Sequence, residues 1–139
     1  TVTDDLGVKK DVSSFVIPVG ATINMDGTAI MQGLATMFIA STAGVDLSMI
    51  EYMQIVLLAM VASIGAAAVP SAGTITLALI LSSLGLPLDA IGLILAVDRI
   101  LDMIRTSVNV TGDSAVACIV ANSETEKYSI NRAKIYVFL

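Results

Sequence analysis

From Tyr52 to Leu88 the chain carries no charged residue. That run is too long for a single membrane span, which needs about 20 apolar residues. Its centre, Ser63 to Gly73, collects glycines, serines and Pro70. The arms on either side have about 14 residues each, or roughly 21 Å of helix, short of the ~30 Å hydrocarbon core. Two short apolar arms around a Gly/Ser/Pro tip predict a re-entrant hairpin over 51–88, entering and leaving on one side.

The rest of the composition agrees with a membrane setting. Of 139 residues, 56% are hydrophobic and 14% charged, whereas soluble domains carry about 25% charged residues. A net charge of −5 without a basic cluster argues against nucleic acid as a partner. The absence of histidine removes Ser-His and Cys-His dyads and the commonest transition-metal ligand. The single cysteine, Cys118, cannot form an intramolecular disulfide and reads as a packing residue. The polar start, TVTDDLGVKKDV, shows no cleavable signal and no initiator Met, as expected of a piece that begins inside a larger protein.

Two further apolar blocks flank the hairpin. The first, Ser13 to Gly44, contains a polar island at Asn24-Met25-Asp26-Gly27-Thr28. This predicts a helix over 12–44 broken at the island, because broken backbone at membrane depth is tolerated where it lines a buried or wet site. The third block predicts a helix over 90–121. At about 100° per residue, Asp98, Asp102, Arg105, Thr106, Asn109 and Asp113 share an arc about 100° wide. Intramembrane ionisable residues are costly and mark functional sites.

The expected fold class is therefore an all-α membrane protein: a broken transmembrane helix, a re-entrant hairpin and a polar-striped transmembrane helix. Residues 1–121 make one unit and 122–139 a polar cytoplasmic tail. Lys9 and Lys10 precede the first block and Lys127, Arg132 and Lys134 follow the third, whereas the loops between carry Asp46, Glu51 and Asp89. The positive-inside rule then puts both ends in the cytoplasm of a multi-pass cell-membrane protein.

The polar residues suggest a chemistry. Asp102 and Arg105 stand one turn apart, and so do Arg105 and Asn109. A guanidinium suits a carboxylate and an aspartate suits an ammonium, so the pair resembles a receptor for a zwitterion. Asn24, Asp26, Asp113 and the carbonyls near Gly20, Thr22 and Asn109 are hard oxygen donors, suited to hard cations at a helix break. The methionines, Met25, Met31 and Met37 among them, read as packing residues.

Three motifs, in order and in register, resemble the dicarboxylate/amino acid:cation symporter family, the glutamate and aspartate transporters. They are Ala21–Thr28 (ATINMDGT), Ser63–Gly73 (SIGAAAVPSAG) and Asp102–Asp113 (DMIRTSVNVTGD). The resemblance covers roughly Val8 to Ala121. It implies the C-terminal part of an elevator-type transport domain in a homotrimer, with the hairpin as extracellular gate. Arg105 would hold the substrate's side-chain carboxylate and Asp102 its amino group, with Thr28, Val69, Pro70, Gly73, Thr106 and Asn109 completing the pocket.

Sodium is the implied co-transported ion. One ion would lie between the carbonyls of Gly20 and Asn109 and the carboxylate of Asp113, with Asn24 nearby. A second would lie between Thr22 and the carbonyls of Ser63, Ile64 and Ala66. A third would use Asn24 and Asp26 with an earlier helix outside this chain.

The resemblance also has informative departures. Arg105 favours an acidic substrate, and Asp102 favours an amino acid over a C4-dicarboxylate. Gln32 stands where the animal glutamate transporters have Glu, which favours sodium coupling of the archaeal aspartate-transporter type. Met103 stands where the animal proteins carry a second arginine. Two other functions compete with this one: a proton- or sodium-coupled C4-dicarboxylate carrier of the same fold, and, more remotely, an intramembrane aspartyl protease. The protease needs a carboxylate dyad sharing a proton, which Arg105 beside Asp102 opposes.

Overall fold

The computed structural model describes residues 2–65 and 72–137, with side chains in the last helix through Glu124. The helices are α1 (Lys10–Ile23), α2 (Asp26–Thr42), α3 (Met49–Gly65), α4 (Ala72–Ser83), α5 (Ile91–Leu95) and α6 (Asp98–Val137), with a 3₁₀ turn at Leu88–Ala90. No strand occurs among the described residues.

The first apolar block is interrupted inside its polar island. α1 ends where the Asn24 N–H donates to the Gly20 carbonyl at 2.8 Å, and Asn24 and Met25 leave helical geometry (φ/ψ −89°/75° and −111°/44°). Restarting a helix exposes its first N–H groups. Met25 supplies no side-chain cap. The partner comes instead from α6, where Asn109 Oδ1 accepts the Gly27 N–H at 2.8 Å.

The other helix ends follow local rules. Ser48 donates its N–H and hydroxyl to Glu51 Oε2, each at 2.7 Å, and opens α3 as a capping box. α2 and α4 close at Gly44 and Gly85, both at positive φ, with the following N–H returning to the Ala40 and Leu81 carbonyls at 2.9 Å.

Two apolar clusters fix the helices around the break. Met31, Ala35 and Ile39 of α2 pack with Leu77 and Leu81 of α4 and with Leu86 and Ile94. On the other side of the break, Val8 and Val12 pack with Ala117 of α6. α1 and α2 thus both lie along α6, antiparallel to it: Val12 meets Ala117, Gly20 meets Asp113 and Gly27 meets Arg105.

The third block holds two helices. The helix expected over 90–121 is divided, because α5 stops at Leu95 and α6 begins at Asp98. Its acidic first residue suits the partial positive charge of a helix start. α6 continues to Val137 through a segment without Gly or Pro and with Glu, Lys and Ala, good helix formers.

Among the described residues, no helix is long and apolar enough to cross a membrane. α1 to α4 have 14, 17, 17 and 12 residues. α6 has 40 residues but bears the charged stripe and the polar segment. Much apolar surface is nevertheless uncovered, including Phe15, Phe38, Met49 and Met103. Surface of this extent marks contact with lipid or with further protein.

Candidate functional site

The break between α1 and α2 faces the polar stripe of α6, and the two are joined by side-chain amides. Asn24 Nδ2 donates to Asp113 Oδ1 at 3.0 Å and, more weakly, to the Asn109 carbonyl at 3.5 Å. Asn109 works in both directions. Its oxygen takes the Gly27 N–H, while its Nδ2 donates to Thr28 Oγ1 at 3.3 Å and reaches Met25 Sδ at 3.2 Å. Thr28 is buried and directs its own hydroxyl at the same sulfur, at 3.6 Å.

Three glycines permit this approach. A Cβ on Gly20 would collide with the Asp113 carboxylate, and one on Gly27 with the Arg105 carbonyl. One on Gly112 would stand 2.5 Å from Asn24 Nδ2. At these positions a hydrogen replaces a methyl group so that polar atoms of one helix can touch the backbone of another.

Asp113 is buried, and its recorded side-chain partner is the neutral amide of Asn24. No Lys or Arg pairs with it among the described residues. A buried carboxylate without a positive partner is unfavourable, so this corner has the electrostatic character of a cation site. No cluster of three or more His, Cys, Asp or Glu side chains occurs among the described residues. The available donors are carbonyls, amides and one carboxylate.

About two turns from Asp113 toward the start of α6, Arg105 forms an ion pair with Asp102. The arginine side chain is 12% exposed and the aspartate 45%. Gly73, in the first turn of α4, lies directly on Arg105 Nη1 with no room for a Cβ. Each partner therefore covers or neutralises part of the guanidinium, and Asp102 keeps an open side.

The structure brings together Gly20, Asn24, Thr28, Gly73, Asp102, Arg105, Asn109 and Asp113. Other expected site residues lie apart from this network. Thr106 and Asp26 are exposed and none of its hydrogen bonds reaches them. Thr22 is exposed and its hydroxyl donates back to the Val19 carbonyl at 2.9 Å. Ser63 is buried but donates to the Met60 carbonyl at 2.8 Å, and Ile64 is exposed. Ala66, Val69 and Pro70 lie outside the described residues.

Some contacts went unforeseen. Met25, expected as a packing residue, offers its sulfur to two polar side chains of the site. Gly27 and Gly112 are contact positions whose only sequence signal was their place inside polar motifs. A groove of about 270 Å³ runs from the site between α2 and α6, with Gly27 and Arg105 in its lining beside Ile30, Leu34, Phe38 and Leu101. Apart from Arg105 its walls are apolar.

A helical site with paired charges beside a broken helix is the kind found in secondary transporters. Residues 1–123 match the sodium:dicarboxylate symporter family, and the chain belongs to that family. It is 54% identical over 117 residues to an excitatory amino acid transporter of Onchocerca volvulus, covering 84% of this chain and 24% of the relative. An excitatory amino acid transporter of Caenorhabditis elegans is 54% identical over 84% of the chain and 23% of its own length. Excitatory amino acid transporter 2 of Mus musculus is 55% identical over 84% of the chain and 20% of its own length.

The chain thus spans about a fifth to a quarter of the length of these curated relatives. They are transporters rather than enzymes, and the protease alternative falls. They are also animal proteins.

Proposed function

We propose that the chain is the C-terminal part of the transport domain of a sodium-coupled symporter that takes up aspartate or glutamate. The observation that carries this is the meeting of the α1–α2 break with α6. There a buried Asp113 without a basic partner stands within the same polar stripe as the Asp102–Arg105 pair.

In this proposal Arg105 releases part of its contact with Asp102 and takes the substrate's side-chain carboxylate, while Asp102 receives the ammonium. Asn109 and Thr28 orient the bound amino acid. Sodium lies by the Asp113 carboxylate with the carbonyls of Gly20 and Asn109, and Asn24 moves its amide to make room. Two further sodium positions are proposed, one at Thr22 with the hairpin carbonyls of Ser63, Ile64 and Ala66, one at Asn24 and Asp26. Val69, Pro70, Gly73 and Thr106 are proposed to close over the substrate.

Ion and amino acid would bind to the same helices, so each raises the other's affinity. α3 and α4 would be the arms of a re-entrant gate in the plasma membrane, with both ends of the chain cytoplasmic and the full-length protein a homotrimer.

Aspartate binding to the full-length protein, titrated with and without sodium against glutamate, serine and succinate, tests the proposal. Tight binding only in sodium, displaced by glutamate and not by serine or succinate, is the expected result. Displacement by succinate would turn the assignment to a C4-dicarboxylate carrier of the same fold.

A further inference from the structure

We propose that Thr76, held by Gln32, is a positioning residue that fixes the first turn of α4 against the Arg105 guanidinium. Gln32 of α2 is fully buried, yet only half of its amide is used: Nε2 donates to Thr76 Oγ1, while Oε1 has no partner among the described residues. Thr76 links that amide to the start of α4. Its hydroxyl donates to the Gly73 carbonyl at 3.1 Å and accepts from the Gln32 amide nitrogen.

Packing does not account for this arrangement. An apolar side chain of similar volume would fill the position without an orphaned oxygen, and a buried polar atom without a partner is unfavourable. Nor do α2 and α4 need the bond to adhere, since Met31, Ala35 and Ile39 already meet Leu77 and Leu81. Apolar contact is indifferent to small sliding, whereas a hydrogen bond has a set length and direction.

The bond falls at the end of α4 beside Arg105. A continuous path runs from Gln32 Nε2 through Thr76 Oγ1 to the Gly73 carbonyl, and Gly73 lies on Arg105 Nη1. Sliding α4 would either drive Gly73 into the guanidinium or uncover it. The Gln32–Thr76 pair therefore sets how much of Arg105 is left for a ligand.

This inference rests on the proposal that Arg105 binds the substrate carboxylate. Its test compares full-length wild type with Thr76→Val, Thr76→Ser, Gln32→Leu and the Thr76→Val/Gln32→Leu double variant. The readouts are aspartate affinity and amide hydrogen exchange across residues 72–77. Loss of one buried hydrogen bond should weaken aspartate binding about tenfold in Thr76→Val and in Gln32→Leu. The double variant should be no worse than either, because both break one link. Thr76→Ser restores the hydroxyl and should restore affinity, and exchange in 72–77 should quicken in the Val and Leu variants alone.

Unchanged affinity and exchange in Thr76→Val, or equal impairment in the Ser and Val variants, would overturn the inference. Should Thr76→Val fail to fold, Gln32→Leu decides on the same readouts. Should wild type not bind aspartate, the proposed substrate falls. The pair is then judged by exchange alone, where quickening upholds it and no change overturns it.

Discussion

Asp113 and Asp102 stand about three turns apart on one face of α6, yet their surroundings differ. Around Asp113 the site is closed by this chain itself: Asn24 donates to the carboxylate, Gly20 lies against it, and Gly112 admits the Asn24 amide. Around Asp102 it is half-built. Arg105 is covered by Gly73 on one side, but Asp102 keeps an open face and Thr106 is exposed. The enclosed end behaves as an internal joint between the broken helix and α6. The open end leaves Asp102 with an exposed face.

The largest effect that could break this comparison lies at the open end. Arg105→Ala removes one member of a close charge pair, a change worth about 2–5 kcal/mol of binding energy. Calorimetry on the full-length protein should show acidic amino acid binding lost, and tight aspartate binding in this variant would sink the assignment of Arg105.

At the enclosed end, Gly20→Ala should overpack the contact with Asp113, costing about 1–3 kcal/mol of stability and weakening sodium stabilisation in a thermal melt. Gly33→Ala is the control. Its Cβ would meet open space, so helix propensity alone should make it neutral or more stable by up to ~1 kcal/mol. Equal destabilisation of the two variants would mean that the Gly20–Asp113 contact is not special.

The smallest effect sharpens the open end. Thr106→Val should shift stability by no more than about 0.5 kcal/mol, as for most exposed positions. A loss of aspartate affinity at unchanged melting temperature would make Thr106 a ligand contact, completed only when substrate is bound.

Legibility in the sequence followed locality. The interruption at Asn24 and Met25 sits where Asn24, Asp26, Gly27 and Thr28, four polar or helix-weakening residues, interrupt an apolar run, and helical periodicity alone aligns Asp102, Arg105, Asn109 and Asp113. The start of α6 at Asp98 was harder to see, because Ile91 to Val97 is as apolar as a helix interior and hides the turn at Ala96–Val97. Asp26 was expected beside Asn24 as an ion ligand. Two residues along a restarting helix are enough to place it outside the network, and that rotation depends on the dihedral angles of the break. Met25 gave no polar signal, since a thioether becomes an acceptor only when donors such as Asn109 and Thr28 are aimed at it.

By itself, the sequence determined the helical class, the apolar blocks, the polar face of α6 and, through its motifs, the family. These are consequences of residue type and spacing along one strand of chain. Tertiary structure alone decided that Asn109 caps α2 across a helix interface, that glycines on α1, α2, α4 and α6 face polar side chains of their neighbours, and that Gln32 meets Thr76. Such contacts join positions more than thirty residues apart, and their geometry exists only once the helices have packed.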